Sequence, residues 1–153
     1  MSKITCRFAT IADIPALVEL RLALQAEAHP ETPAPAGLAA RLRKFFAAQI
    51  SAGEFLATVA EMDGALVAAG GMIYQQFPPS VVNPTGCSAY IMNMYTLPSH
   101  RRRGLATKLL KTLVATARKA GCRRITLHAM PGARSLYAKL GFAPRANEMQ
   151  LEL

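Results

Sequence analysis

Beyond residue 104, apolar positions recur every four residues at Leu105, Leu109, Leu113 and Ala117, flanked by Leu110, Val114 and Ala120, while Lys108, Lys111, Arg118 and Lys119 stay off that stripe. This period predicts an amphipathic helix, and Gly121 is placed to end it. Ahead of the helix, residues 89–97 are apolar and aromatic and read as a strand. Pro98 and the basic turn Ser99, His100, Arg101, Arg102, Arg103, Gly104 join the two. Strand, cationic turn and helix together make a place to hold phosphate. The first N–H groups of a helix have no intrahelical partner, and the helix dipole adds about half a positive charge there. Gly104, without a Cβ, suits a close backbone approach, and Ala106 is small two positions on. Taken alone, the turn reads more readily as a solvated basic loop than as a binding site.

The rest of the chain patterns around this unit. Residues Ile4–Phe8 alternate as a first strand, and Thr10 with Asp13 resembles a capping box at the start of a helix over 11–28, with Pro15 in its first turn. Three prolines at 30, 33 and 35 make 29–37 a surface loop. A helix over Leu38–Ser51 follows, carrying Leu42, Phe45, Phe46 and Ile50 on one side. Strands over 55–61 and Ala65–Gln76 flank the Asp63-Gly64 hairpin turn, and the pair Gly70-Gly71 inside the second suggests a bulge or a close approach by another segment. Residues 77–86 form a proline-rich loop, 124–129 a fifth strand and 133–140 a short helix. In 147–153, Met149, Leu151 and Leu153 alternate with polar neighbours as an edge strand would, which would allow a homodimer. No repeat is visible, and 1–153 reads as a single domain.

Composition narrows the class. A chain of 153 residues, 52% hydrophobic, can bury a core without staples. No apolar run approaches the roughly 18 residues of a membrane span, and no signal-peptide pattern opens the chain, so the expectation is a cytoplasmic protein with no membrane partner. Cys6, Cys87 and Cys122 show no metal-type or redox-type spacing, so reduced thiols and no metal are expected. The net charge of +9 divides unevenly, with residues 1–100 at −1 and 101–153 at +10. The basic character begins at the turn proposed to hold phosphate, and such a field draws anionic partners.

Arg101-Arg102-Arg103-Gly104-Leu105-Ala106 fits the signature turn of a known family, and Leu136-Tyr137-Ala138-Lys139-Leu140-Gly141-Phe142 is similar to that family's closing segment. On these residues the chain resembles the GCN5-related N-acetyltransferases (GNAT). The resemblance implies an α/β fold: a mixed, mostly antiparallel central sheet with helices on both faces and a splayed central strand pair. It implies acetyl-CoA as co-substrate and an amine acceptor, without nucleic acid. It further implies that the N–H of Met94 faces the thioester oxygen, that Tyr95 and Thr96 line the pantetheine arm with Thr96 pairing its amides, and that Arg102, Arg103, Gly104, Leu105, Ala106 and Thr107 wrap the pyrophosphate, with charge from Arg101 and Arg103. Tyr137 matches the position that protonates the departing thiolate.

The general base is open. Relatives carry a glutamate four residues before the acetyl-facing position, where this chain has Tyr90, and residues 88–96 hold no carboxylate. His128, Glu27, His29 or a water chain are the candidates, and Asn93 could orient a water or the acceptor. The acceptor walls are expected from the first two helices and the 77–86 loop. An acyl-CoA-binding domain without activity and a nucleic-acid-binding module stand as alternatives to the enzyme; against the latter, no aromatics interleave the basic residues.

Overall fold

The computed structural model describes residues 3–153. Within them five strands form one sheet in the order β1-β2-β3-β4-β5: β1 Ile4–Phe8, β2 Phe55–Met62, β3 Ala65–Gln76, β4 Cys87–Thr96 and β5 Arg124–Leu127. The first four pair antiparallel in succession and β5 joins β4 parallel. The helices are α1 Ile14–Ala28, α2 Leu38–Ser51, α3 Leu105–Lys119 and α4 Arg134–Ala138. The expected mixed, mostly antiparallel sheet with helices on both faces is therefore present.

Strand alternation sorts the core into two layers. On one face, Leu17, Val18 and Leu20 of α1 and Phe46 of α2 bury against Phe55, Ala57, Val59 and Ala69. On the other, Leu110, Leu113 and Ala117 of α3 and Tyr137 of α4 bury against Met72, Ala89 and Ile91. The four-residue stripe of α3 is thus the face it buries: Leu105, Leu109, Leu113 and Ala117 are each under 5% exposed. Both glycines of β3 are close approaches. A Cβ on Gly70 would lie 2.5 Å from the Met94 sulfur, and one on Gly71 would run into the Phe55 ring.

The start of α1 shows how side chains set element ends. The Asp13 carboxylate accepts the Thr10 N–H at 2.7 Å, and a 3-10 turn over Ile11–Asp13 precedes the α-helix instead of merging with it. Arg7 of β1 donates to Asp13 at 2.8 Å and to Glu61 of β2 at 2.7 Å, tying this turn to the sheet edge. Hydrogen bonds from Arg7, ahead of those from Thr10, hold the Asp13 carboxyl at about 2. This is below the ordinary value of about 3.9, so the stabilisation is complete above about pH 4 and disappears as the pH falls through the folded value. Thermal melts should therefore show a midpoint that declines between about pH 4 and pH 2, and Asp13→Asn should remove part of that decline.

Three expectations are corrected. Residues 147–153 form no strand, and Met149, Leu151 and Leu153 are fully or almost fully exposed. Alternation makes a strand only where a neighbouring backbone is at hand, and the β5 ladder ends at Leu127. Cys87 and Cys122 are not separate thiols but a disulfide pair with Cα atoms 4.5 Å apart. The parallel ladder starts at Ser88↔Arg124, which brings the residues just before it together across a sequence separation of 35, with no local signal to announce the contact. Finally, β5 stops at Leu127, two residues short of the expected end, and leaves His128 beyond the sheet.

Candidate active site

Two departures from regular pairing in β4 create the site. The β4–β5 ladder runs only from Ser88↔Arg124 to Ile91↔Leu127, so Met92 to Thr96 continue without a neighbour on that side. This is the expected splayed pair. On the other side, β3 and β4 pair as Gly71↔Met92 and then Ala69↔Tyr95, so Gly70 alone opposes Asn93 and Met94. Two residues against one is a β-bulge, and Asn93 adopts φ +58° to make it. The sequence suggested a bulge at the glycine pair; the extra residue lies on the partner strand.

The bulge distributes side chains to opposite faces of the sheet. Met94 packs with the Leu110, Leu113 and Tyr137 layer. Met92 and Tyr95 pack with the Leu17 and Phe46 layer, and Asn93 lines a narrow cleft there with Leu17, Leu20, Arg21, Phe46 and Phe55. Tyr137 sits on the Met94 side, 7% exposed, its ring edge-on to Phe142 at 5.9 Å. Burial pushes the Tyr137 phenol up, so it stays a proton donor. No hydrogen bond of its hydroxyl is found among the described residues.

The turn between β4 and α3 enters the helix through two left-handed residues. Arg102 at φ +64° and Gly104 at φ +74° both occupy the left-handed region, and Gly104 is the N-cap. Among the described residues no side chain caps the helix, and no acidic residue stands in its first turn. The first intrahelical bond runs from Lys108 N–H to Gly104 C=O at 3.1 Å, so the N–H groups of Leu105, Ala106 and Thr107 have no intrahelical acceptor. Among the described residues nothing lies within 4 Å of a Cβ on Gly104, so its backbone angle, not protein crowding, requires glycine.

The arginines divide. Arg101 donates to Glu27 of α1 at 2.7 Å and to the Thr96 carbonyl at 3.0 Å, and lies over the Tyr95 ring at 5.5 Å. It joins the turn to α1. The Thr96 carbonyl keeps a second lone pair for another donor. Arg103 folds back onto the Ser99 carbonyl at 3.4 Å, and Arg102 is exposed.

Tyr90 and His128 meet: the Tyr90 hydroxyl and His128 Nδ1 share a hydrogen bond across the mouth of the β4–β5 pair. Burial, ahead of the Glu148 charge, pushes the Tyr90 phenol up. Glu27 is held below its ordinary range, first by Arg101, which makes it a weaker proton acceptor. His29 is exposed in the loop after α1. Sequence reasoning missed Arg21, Glu148 and the commitment of Arg101 to Glu27. An arginine four residues after Leu17 on an apolar helix face was the available signal for Arg21; nothing local reported the other two.

The family model described as "Acetyltransferase (GNAT) family" matches residues 15–142. A "predicted acetyltransferase with acetyl-CoA" from Clostridium acetobutylicum is 29% identical with a TM-score of 0.89, over 98% of this chain and 96% of that one. A GCN5-related N-acetyltransferase from Ralstonia eutropha is 28% identical with a TM-score of 0.84, over 99% of both chains. A curated relative, "Probable glucosamine 6-phosphate N-acetyltransferase 2" of Oryza sativa subsp. japonica, is 37% identical over 51 residues, which is 33% of this chain and 31% of that protein's length. A turn that frees the first N–H groups of α3 beside a split in the sheet, together with a family match spanning both helical layers, places the chain in the GNAT acetyltransferase family.

Proposed function

We propose that residues 1–153 form one N-acetyltransferase domain that moves an acetyl group from acetyl-CoA to a primary amine by direct attack. The observation that carries this reading is the uncapped, acid-free start of α3 at the open end of the β4–β5 split. The N–H groups of Leu105 to Thr107 suit a pyrophosphate, and the split admits an extended arm along Met94 to Thr96. When bound, acetyl-CoA supplies the thioester carbonyl.

The chain's own groups fall on the two sides that such a reaction needs. On the α1 face, Tyr90 takes a proton from the acceptor's ammonium as it passes its own to His128 Nδ1, which frees the nitrogen lone pair. The Met94 N–H donates to the carbonyl oxygen as it gains charge, a contact worth about 3 kcal/mol in comparable sites. With the second nitrogen proton lost to solvent, breaking of the C–S bond would release a thiolate to which Tyr137 on the opposite face would donate its proton, the phenol being reprotonated from solvent. Tyr90 thereby replaces the carboxylate that β4 lacks.

Isothermal titration with acetyl-CoA tests the reading, followed by assay of thiol release with a panel of amines. Saturable binding with turnover is the expected result; binding without turnover would leave only an acyl-CoA-binding domain. Arg102→Ala with Arg103→Ala should raise the acetyl-CoA Kd about tenfold, the loss of roughly one charge-assisted hydrogen bond. An unchanged Kd would remove the side-chain part of the phosphate argument.

A further inference from the structure

Arg21 is unlike the other arginines that touch this site. It follows Leu17, Val18 and Leu20 on the buried face of α1 and is itself half-buried, lining the cleft that Asn93 also lines. Among the described residues the ion pairs are Arg7 with Asp13 and Glu61, and Arg101 with Glu27; no carboxylate reaches Arg21. Its partner is the Gln25 amide oxygen, one helical turn on, at 3.1 and 3.3 Å in the amide orientation that satisfies both groups. Beside it, the Asn93 Oδ1 is buried with no hydrogen-bond partner among the described residues.

A partly desolvated guanidinium facing a neutral amide is expensive to keep, because buried charge is normally paired. Burial accordingly lowers the Arg21 pKa, and no carboxylate among the described residues stands close enough to act against that. Arg21, which has no carboxylate partner, and the unpartnered Asn93 Oδ1 beside it lie on the α1 side of the sheet, the face from which the acceptor would reach the thioester. Asn93 Oδ1 can accept an N–H, and a guanidinium offers two parallel donors to a carboxylate or phosphate.

Resting on the acetyltransferase reading above, we infer that the acceptor is an amine that also carries an anionic group, a carboxylate or a phosphate ester, with Arg21 holding the anion and Asn93 Oδ1 the amino end. Arg21 is thus a specificity-determining residue.

Matched acceptor pairs test this on the full chain, with thiol release as the assay: glucosamine 6-phosphate against glucosamine for phosphate, and L-leucine against L-leucinamide for carboxylate. In at least one pair the anionic member should have a kcat/KM about tenfold or more above its neutral partner, and the pair that shows it identifies the anion. Arg21→Gln should collapse that ratio toward one, and Arg21→Lys should retain part of it. Equal or better use of the neutral members by the wild-type protein, or a ratio that survives in Arg21→Gln, overturns the inference. Titration with acetyl-CoA separates the two levels: a protein that binds acetyl-CoA and acetylates neutral amines as well as anionic ones sinks only this inference, whereas no acetyl-CoA binding sinks the enzyme reading and this one with it. Should Arg21→Gln not fold, the wild-type ratio and Arg21→Lys still decide.

Discussion

Tyr137→Phe is expected to lower kcat by about two to four orders of magnitude, the range for loss of a positioned proton donor. The ring is buried in the α3 layer with Met94 at its edge, and phenylalanine fills the same volume, so packing should survive. The hydroxyl alone is lost, and no described residue depends on it for a hydrogen bond. Acetyl-CoA affinity should therefore hold within about twofold, since the donors assigned to phosphate are backbone groups of α3. Pre-steady-state measurement of thiol release separates chemistry from product release. A kcat within about twofold of wild type would leave Tyr137 as a packing residue and place the leaving-group proton elsewhere.

Phe46→Ala should destabilise the fold by about 3–5 kcal/mol, the cost of a large cavity in a packed layer. Phe46 is 1% exposed and joins α2 to the sheet through the Phe55 ring at 5.3 Å, with Phe45 at 5.7 Å. Its neighbours Leu17, Leu20 and Asn93 also line the narrow cleft beside the bulge. Urea unfolding should show a lower midpoint at an unchanged slope. A loss below about 1 kcal/mol would mean that α2 closes over the gap and that the wall is softer than its burial suggests.

Most of the scaffold was legible because local pattern and tertiary demand agree in it. The α3 stripe, the Asp63-Gly64 hairpin and the α2 bounds all follow from periodicity and turn chemistry, which need no knowledge of distant partners. The signature turn and the Tyr137 segment were legible for the same reason, since each is a short contiguous run. What escaped depends on pairing across the chain. The 147–153 alternation promised a strand that has no neighbour to receive it, and the Cys87–Cys122 bond follows from ladder register alone. The engagement of Arg101 with Glu27 spans α1 and the turn, and charge composition could not tell a committed arginine from a free one. The meeting of Tyr90 with His128 was the converse case: both were picked individually, and only the parallel register brought them into one hydrogen bond.

The covalent link between Cys87 and Cys122 lies at the closed end of the strand fork, while the tines part beyond Ile91 and Leu127. Beyond the link β4 stays laddered to β3 as far as Thr96, whereas the ladder of β5 ends at Leu127. A covalent link at the closed end opposes sliding of one strand along the other, so the register that leads up to the split is held from its base.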